Sequence, residues 1–92
     1  MKQKIAILGS TGSIGRNLLE IVNNEKKSFE IILLTANKNY SDLLKQAKKY
    51  NVKNLIIKNK ESFNIIKKKS IKNKINIFND FNSFNKIFKK KI

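Results

Sequence analysis

The 92-residue sequence has no cysteine, no histidine, no proline and no tryptophan. Without cysteine there is neither a disulfide framework nor a thiolate metal site, and the redox compartment is unmarked. Only six acidic residues occur, Glu20, Glu25, Glu30, Asp42, Glu61 and Asp80, and their scatter along the chain gives no carboxylate cluster for a metal. No apolar run approaches the roughly 20 residues of a membrane span. The basic start, Met1-Lys2-Gln3-Lys4, leads into an apolar stretch too short for a signal peptide. A cytosolic chain with no membrane partner is therefore expected. The length holds one small domain or a piece of a larger one, and excludes a two-domain enzyme.

What is abundant is positive charge. Lysine and arginine total 21, for a formal net charge of +15, with fourteen basic and two acidic side chains in residues 47–92 against seven and four in residues 1–46. A basic half of this kind raises a rival reading, a small Rossmann-like module that binds RNA or another polyanion. The distribution argues against a nucleic-acid site. Lysine is interleaved throughout with asparagine and isoleucine, and Arg16 is the lone arginine, whereas readers of bases and phosphates favour the bidentate guanidinium. The lysines are read as solvated surface.

Glycine is scarce too, and all three glycines fall in one stretch, Leu8-Gly9-Ser10-Thr11-Gly12-Ser13-Ile14-Gly15. It follows the apolar run Ile5-Ala6-Ile7-Leu8 and opens an amphipathic segment ending near Asn24. A strand, a glycine turn and a helix start in that order form a phosphate site, because unpaired N–H groups and the positive end of the helix dipole meet there. Gly9 reads as the turn, Gly12 as the point of closest approach to a pyrophosphate, and Gly15 as the contact that lets helix and sheet pack. Thr11 and Ser13 add hydroxyl donors. The spacing Gly-x-x-Gly-x-x-Gly matches the generic dinucleotide fingerprint loosely. The alternative is a strand-to-helix turn that binds nothing.

Further along, residues 4 to 8 read as a strand apolar on both faces. The next helix spans Ser13 to Asn24 with Ile14, Leu18, Leu19 and Val22 on its buried side. Phe29 to Ala36 reads as a second strand. Ser41 is the expected cap of a second helix, with Asp42 in its first turn, Leu43, Leu44, Ala47 and Tyr50 inward, and Asn51 as its stop. Leu55-Ile56-Ile57 reads as a third strand. Ser62 is the expected cap of a third helix, with Phe63 and Ile66 inward and Lys67-Lys68-Lys69 at its end. Ile75-Asn76-Ile77-Phe78 reads as a fourth strand. Asp80 then caps a fourth helix whose Phe81, Phe84, Ile87 and Phe88 share one face, the pattern of core rather than of a base-stacking platform. The resulting β-α-β-α-β-α-β-α order predicts an α/β fold, a Rossmann-like doubly wound parallel sheet. It is incomplete against a six-stranded domain, so residues 1–92 are expected to be a truncated nucleotide-binding domain.

The run Lys4-Ile5-Ala6-Ile7-Leu8-Gly9-Ser10-Thr11-Gly12-Ser13-Ile14-Gly15 closely resembles the start of the 1-deoxy-D-xylulose 5-phosphate reductoisomerases, NADPH-dependent enzymes of non-mevalonate isoprenoid biosynthesis. Leu18-Leu19-Glu20-Ile21-Val22, Leu34-Thr35-Ala36-Asn37-Lys38-Asn39, Gln46-Ala47 and Leu55-Ile56-Ile57 extend the similarity over about residues 2 to 70. The resemblance implies an N-terminal NADP-binding domain. Thr11, Gly12, Ser13 and Ile14 would contact the NADPH phosphates, and Lys38 and Asn39 the adenosine ribose and its 2′-phosphate. Asn37 departs from the glycine or alanine of many members. The resemblance also implies a divalent cation, Mg or Mn, and a homodimer for the full-length enzyme. Its metal-binding acids, active-site loop and C-terminal domain have no counterpart in these residues, so no catalytic residue is assigned.

Overall fold

The run Phe29-Glu30-Ile31-Ile32-Leu33-Leu34-Thr35-Ala36 has too many adjacent apolar residues for a helix with one wet face, and its last five residues are all buried. The computed structural model describes residues 2–71 and 74–82. The order is β1 (Gln3–Ile7), α1 (Ser13–Asn23), β2 (Phe29–Ala36), α2 (Tyr40–Tyr50), β3 (Asn54–Ile57), α3 (Lys60–Lys69) and β4 (Asn76–Phe78). The four strands form one parallel sheet in the order β1-β2-β3-β4. Crossovers of one hand stepping in one direction put their helices on one face. Accordingly Leu19 of α1, Leu43, Leu44 and Ala47 of α2 and Ile66 of α3 share a core with Ile7, Leu34, Ala36, Leu55 and Ile57. Ile32, Leu33 and Ile56, with Ala6 and Phe78 packed against them, line the other face.

The Rossmann-like alternation of strand and helix is as the sequence predicts. The described strands follow a single winding: β4 adjoins β3, whereas the fourth strand of the 3-2-1-4-5-6 order returns to the far side of β1. The pairing of β1 with β2 carries a bulge, since Ile5 lies opposite Ile31 and Ala6 opposite Leu33, leaving Ile32 as the extra residue. Its carbonyl accepts a hydrogen bond from Asn54 Nδ2 at 2.9 Å, so the bulge leaves that group satisfied.

Several details differ from the sequence reading. β1 buries only Ile7, and Leu8 lies beyond it, because among the described strands β1 pairs with β2 alone and forms an edge. In α1 the residues buried on the sheet are Gly15 and Leu19, whereas Ile14, Leu18 and Ile21 are 79%, 46% and 60% exposed. These three recur at helical spacing as a second stripe, rotated away from Gly15 and Leu19. The helix caps also differ. Asn39, not Ser41, caps α2, its side-chain oxygen accepting from Asp42 N at 3.2 Å. Asn59, not Ser62, caps α3, accepting from Ser62 N at 2.9 Å and leaving Ser62 buried inside the helix. Asn51 does stop α2, in the left-handed conformation at φ 56°. Every described lysine is exposed. The expected fourth helix, with Phe84, Ile87 and Phe88, lies outside the described residues; Asp80 Oδ1 accepts from Asn82 N at 3.0 Å, and Phe81 is exposed.

Candidate functional site

After Ile7 the chain turns back to begin α1 at Ser13, and the turn's glycines carry different loads. Gly9 sits at φ 66°, a conformation that costs an L side chain about 1–2 kcal/mol. A Cβ on Gly15 would run into the Gly9 carbonyl oxygen and come within 2.7 Å of Ser10 Cα, so only glycine lets the first turn of α1 lie against the loop. Gly12 is under neither constraint. A Cβ there would meet only the Gly9 carbonyl oxygen, at 3.5 Å, an ordinary contact. The space beside Gly12 is open, and the backbone itself gives no reason for glycine.

Gly12 is also the N-cap residue of α1, without a side-chain cap. Arg16 N donates to Gly12 O at 2.9 Å, and the N–H groups of Ser13, Ile14 and Gly15 find no partner among the described residues. Free donors at the positive end of a helix dipole favour an anion. Ser13 and Ile14 are exposed there, beside half-buried Thr11.

The turn is fixed from below by β2 and α2. Thr35 Oγ1 accepts from Gly9 N at 2.9 Å, and the Thr35 carbonyl accepts from Ser10 N at 2.9 Å. Ser10, fully buried, donates its hydroxyl to Gln46 Oε1 at 2.8 Å, and Gln46 Nε2 donates back to Ser10 O at 2.9 Å. Arg16 closes the outer side, donating from Nε to Thr11 O at 2.9 Å and from its guanidinium to Asp42 Oδ2 at 2.6 Å.

The second expected loop leaves β2 at Ala36. Asn37, Lys38 and Asn39 are exposed. Asn37 O accepts from Asn59 N at 2.8 Å and Lys38 O from Tyr40 N at 2.7 Å, which ties the loop to its neighbours through backbone and leaves the Lys38 side chain without an ion pair among the described residues. Asn39 is committed to α2: besides capping Asp42 N, it donates from Nδ2 to Asp42 Oδ2 at 2.9 Å.

Gly9, Thr11, Gly12, Ser13, Ile14 and Gly15 thus fall on one loop and Asn37, Lys38 and Asn39 on the next, at the carboxyl ends of the paired strands β1 and β2, the usual place for a ligand in an open α/β sheet. Sequence reading does not anticipate the clamp of Thr35, Gln46, Arg16 and Asp42. These pairs join residues 26 to 36 positions apart, and no local pattern marks them; a polar Thr35 after the apolar run Ile31–Leu34 is the one available sign. Among the described residues no three acids gather as metal ligands, and no helix is long and apolar enough to cross a membrane.

A family model described as 1-deoxy-D-xylulose 5-phosphate reductoisomerase matches residues 5–91. The chain belongs to that family. A relative from Pelagibacter ubique, named 1-deoxy-D-xylulose 5-phosphate reductoisomerase, is 55% identical over 87 residues, covering 94% of this chain and 22% of its own length. One of the same name from Buchnera aphidicola is 48% identical over 67 residues, covering 73% of this chain and 17% of its own length. The chain therefore spans about a fifth of the curated relatives it matches. Among solved structures, the Zymomonas mobilis reductoisomerase in complex with NADPH aligns at a TM-score of 0.82 with 26% identity, over 95% of this chain and 23% of that one. A reductoisomerase in complex with NADPH, fosmidomycin and magnesium aligns at 0.80 with 24% identity, over 92% and 21%. The family read from Lys4 to Gly15 is borne out.

Proposed function

We propose that this chain is the N-terminal NADPH-binding part of a 1-deoxy-D-xylulose 5-phosphate reductoisomerase. The observation that carries the reading is the first turn of α1, where Ser13, Ile14 and Gly15 present N–H groups without partners beside the open space at Gly12. A pyrophosphate fits that arrangement: Gly9 makes the turn, Gly15 seats the helix, and absence of a side chain at Gly12 admits the anion. Thr11 and Ser13 hydroxyls add donors. Exposed Ile14 gives an apolar surface at the same mouth.

The exit of β2 supplies the adenosine end. An NAD site places an acid here to accept from the ribose 2′-hydroxyl, whereas this loop reads Asn37-Lys38-Asn39 and places a free ammonium instead. Lys38 selects the 2′-phosphate by charge, with Asn37 and Asn39 flanking it. When bound, the nicotinamide supplies the hydride of the family's reaction, and this chain's residues hold and orient the cofactor.

The full-length enzyme, on this reading, isomerises 1-deoxy-D-xylulose 5-phosphate and reduces the resulting aldehyde to 2-C-methyl-D-erythritol 4-phosphate, as a cytoplasmic homodimer assisted by Mg or Mn. The residues described here do not suit the cation, so no step is derived through it. This 92-residue chain by itself turns over no substrate: NADPH oxidation dependent on 1-deoxy-D-xylulose 5-phosphate stays at background at any Mg or Mn concentration. The RNA-binding alternative is not favoured, since the family, the glycine turn and the strand exit all point to a dinucleotide.

Calorimetric titration with NADPH and NADH tests the reading. The wild-type chain binds NADPH more tightly than NADH. Lys38→Glu weakens NADPH by about tenfold or more, as loss of a charge-assisted contact implies, and spares NADH. Equal loss of both cofactors removes Lys38 as the discriminator, and no binding of either by the folded wild type refutes the function.

A further inference from the structure

Asp42 is a carboxylate placed where an NADP site least wants one. It lies in the first turn of α2, four positions beyond Lys38, and its Oδ2 already accepts from the side chain of Asn39 at 2.9 Å. A bare negative charge at this place opposes a 2′-phosphate held by Lys38 and Asn39. Arg16 meets that charge. Its guanidinium donates to the same Oδ2 at 2.6 Å, and its Nε is anchored on Thr11 O at 2.9 Å, which fixes the cation between the glycine turn and the β2 exit.

The pair's exposure decides what it is for. Its side chains are 55% and 35% exposed, and an ion pair this wet adds little to the stability of a fold. The glycine turn that Arg16 touches has other, less exposed ties: Thr35 of β2 holds Gly9 and Ser10, and Gln46 of α2 holds Ser10 twice, in buried or half-buried positions. What the pair does change is the local field, because without Arg16 the nearest charge to the Asn39 cap is an uncompensated carboxylate. The remaining described acids, Glu20, Glu25, Glu30, Glu61 and Asp80, form no ion pair with Arg16.

We infer that Arg16 is a positioning residue for cofactor choice: by neutralising Asp42 it keeps the β2 exit receptive to a 2′-phosphate, and its loss turns the site toward NADH. The inference rests on the reading of Lys38 and Asn39 as the 2′-phosphate contacts. Because it acts through Asp42, its signature is a change in the ratio of NADPH to NADH affinity that a second substitution at Asp42 reverses. A merely structural tie would lower both affinities together.

The test is a calorimetric cycle on the full chain with NADPH and NADH as probes, using wild type, Arg16→Gln, Asp42→Asn and the double variant, each checked for an unchanged melting temperature. Arg16→Gln keeps the length and a hydrogen-bond donor while removing the charge. It weakens NADPH about three- to tenfold at low salt, with NADH changed less than about twofold. Asp42→Asn binds NADPH at least as well as wild type, and the double variant returns to within about twofold of it. Equal loss for both cofactors, or a double variant as weak for NADPH as Arg16→Gln, overturns the inference while leaving the NADPH site itself intact. Wild type that binds neither nucleotide overturns the reading beneath it instead.

Discussion

Gly12 and Gly15 belong to one turn, yet the structure requires glycine only at Gly15, while at Gly12 the proposed phosphate does, and substitution separates the two. At Gly15 a methyl group collides with backbone at Gly9 and Ser10, so Gly15→Ala has to push α1 off the sheet. Overpacking of this kind costs about 1–3 kcal/mol, and in a domain of this size each kcal/mol lowers the melting temperature by about 4–8 °C. At Gly12 a Cβ meets only the Gly9 carbonyl oxygen, at an ordinary 3.5 Å, so Gly12→Val stays folded at the cost of a poorer N-cap, about 1 kcal/mol or less, and loses NADPH. Unchanged titration of that variant counts against a phosphate at the turn. Thr35 supplies a third contrast. Thr35→Val leaves the Gly9 N–H without its acceptor, and the expected destabilisation, read from a urea midpoint, is about 1–3 kcal/mol although the substitution nearly preserves volume. A midpoint equal to wild type would mean that the Gly9 N–H does not depend on this side chain.

Among the elements, the strand and helix types were the most legible feature. β2 has the bounds its apolar run predicts, and Asn51 ends α2 where expected, because continuous apolar stretches and a residue tolerant of positive φ are local signals. The caps were not legible. Asn39 and Ser41, or Asn59 and Ser62, are equally good acceptors from composition, and only the position from which the side chain reaches an N–H three residues on decides between them. Asn59→Ala therefore costs about 1 kcal/mol in thermal or urea unfolding, whereas Ser62→Ala changes little. The reverse order would restore Ser62 as the cap. In α1 the sequence reading put Ile14, Leu18, Leu19 and Val22 on one buried face, whereas the contact with the sheet falls on Gly15 and Leu19 and leaves Ile14 and Leu18 exposed. Leu19 is buried, so Leu19→Ala costs about 2–5 kcal/mol, while Leu18→Lys and Ile21→Lys on the exposed stripe stay within about 0.5 kcal/mol. A large loss from either lysine would show that the stripe is covered in solution.

At the scale of the molecule, the glycine spacing and the family opening were enough to name the turn and the strand exit proposed here as the cofactor site, but not to show how the turn is held. The clamp through Thr35, Gln46, Arg16 and Asp42 depends on tertiary contacts, and so does the placing of β4 beside β3. The charge is similarly ambiguous in sequence. A net +15 weighted to residues 47–92 favours polyanions in general, whereas the site proposed here lies wholly in residues 9–39. An amide-resolved NMR titration with NADPH separates the two. The account predicts saturable shifts confined to Gly9, to Thr11 through Gly15 and to Asn37 through Asn39, with the lysine-rich second half unmoved. Shifts spread over the lysines of residues 47–92, with the glycine turn silent, would contradict it.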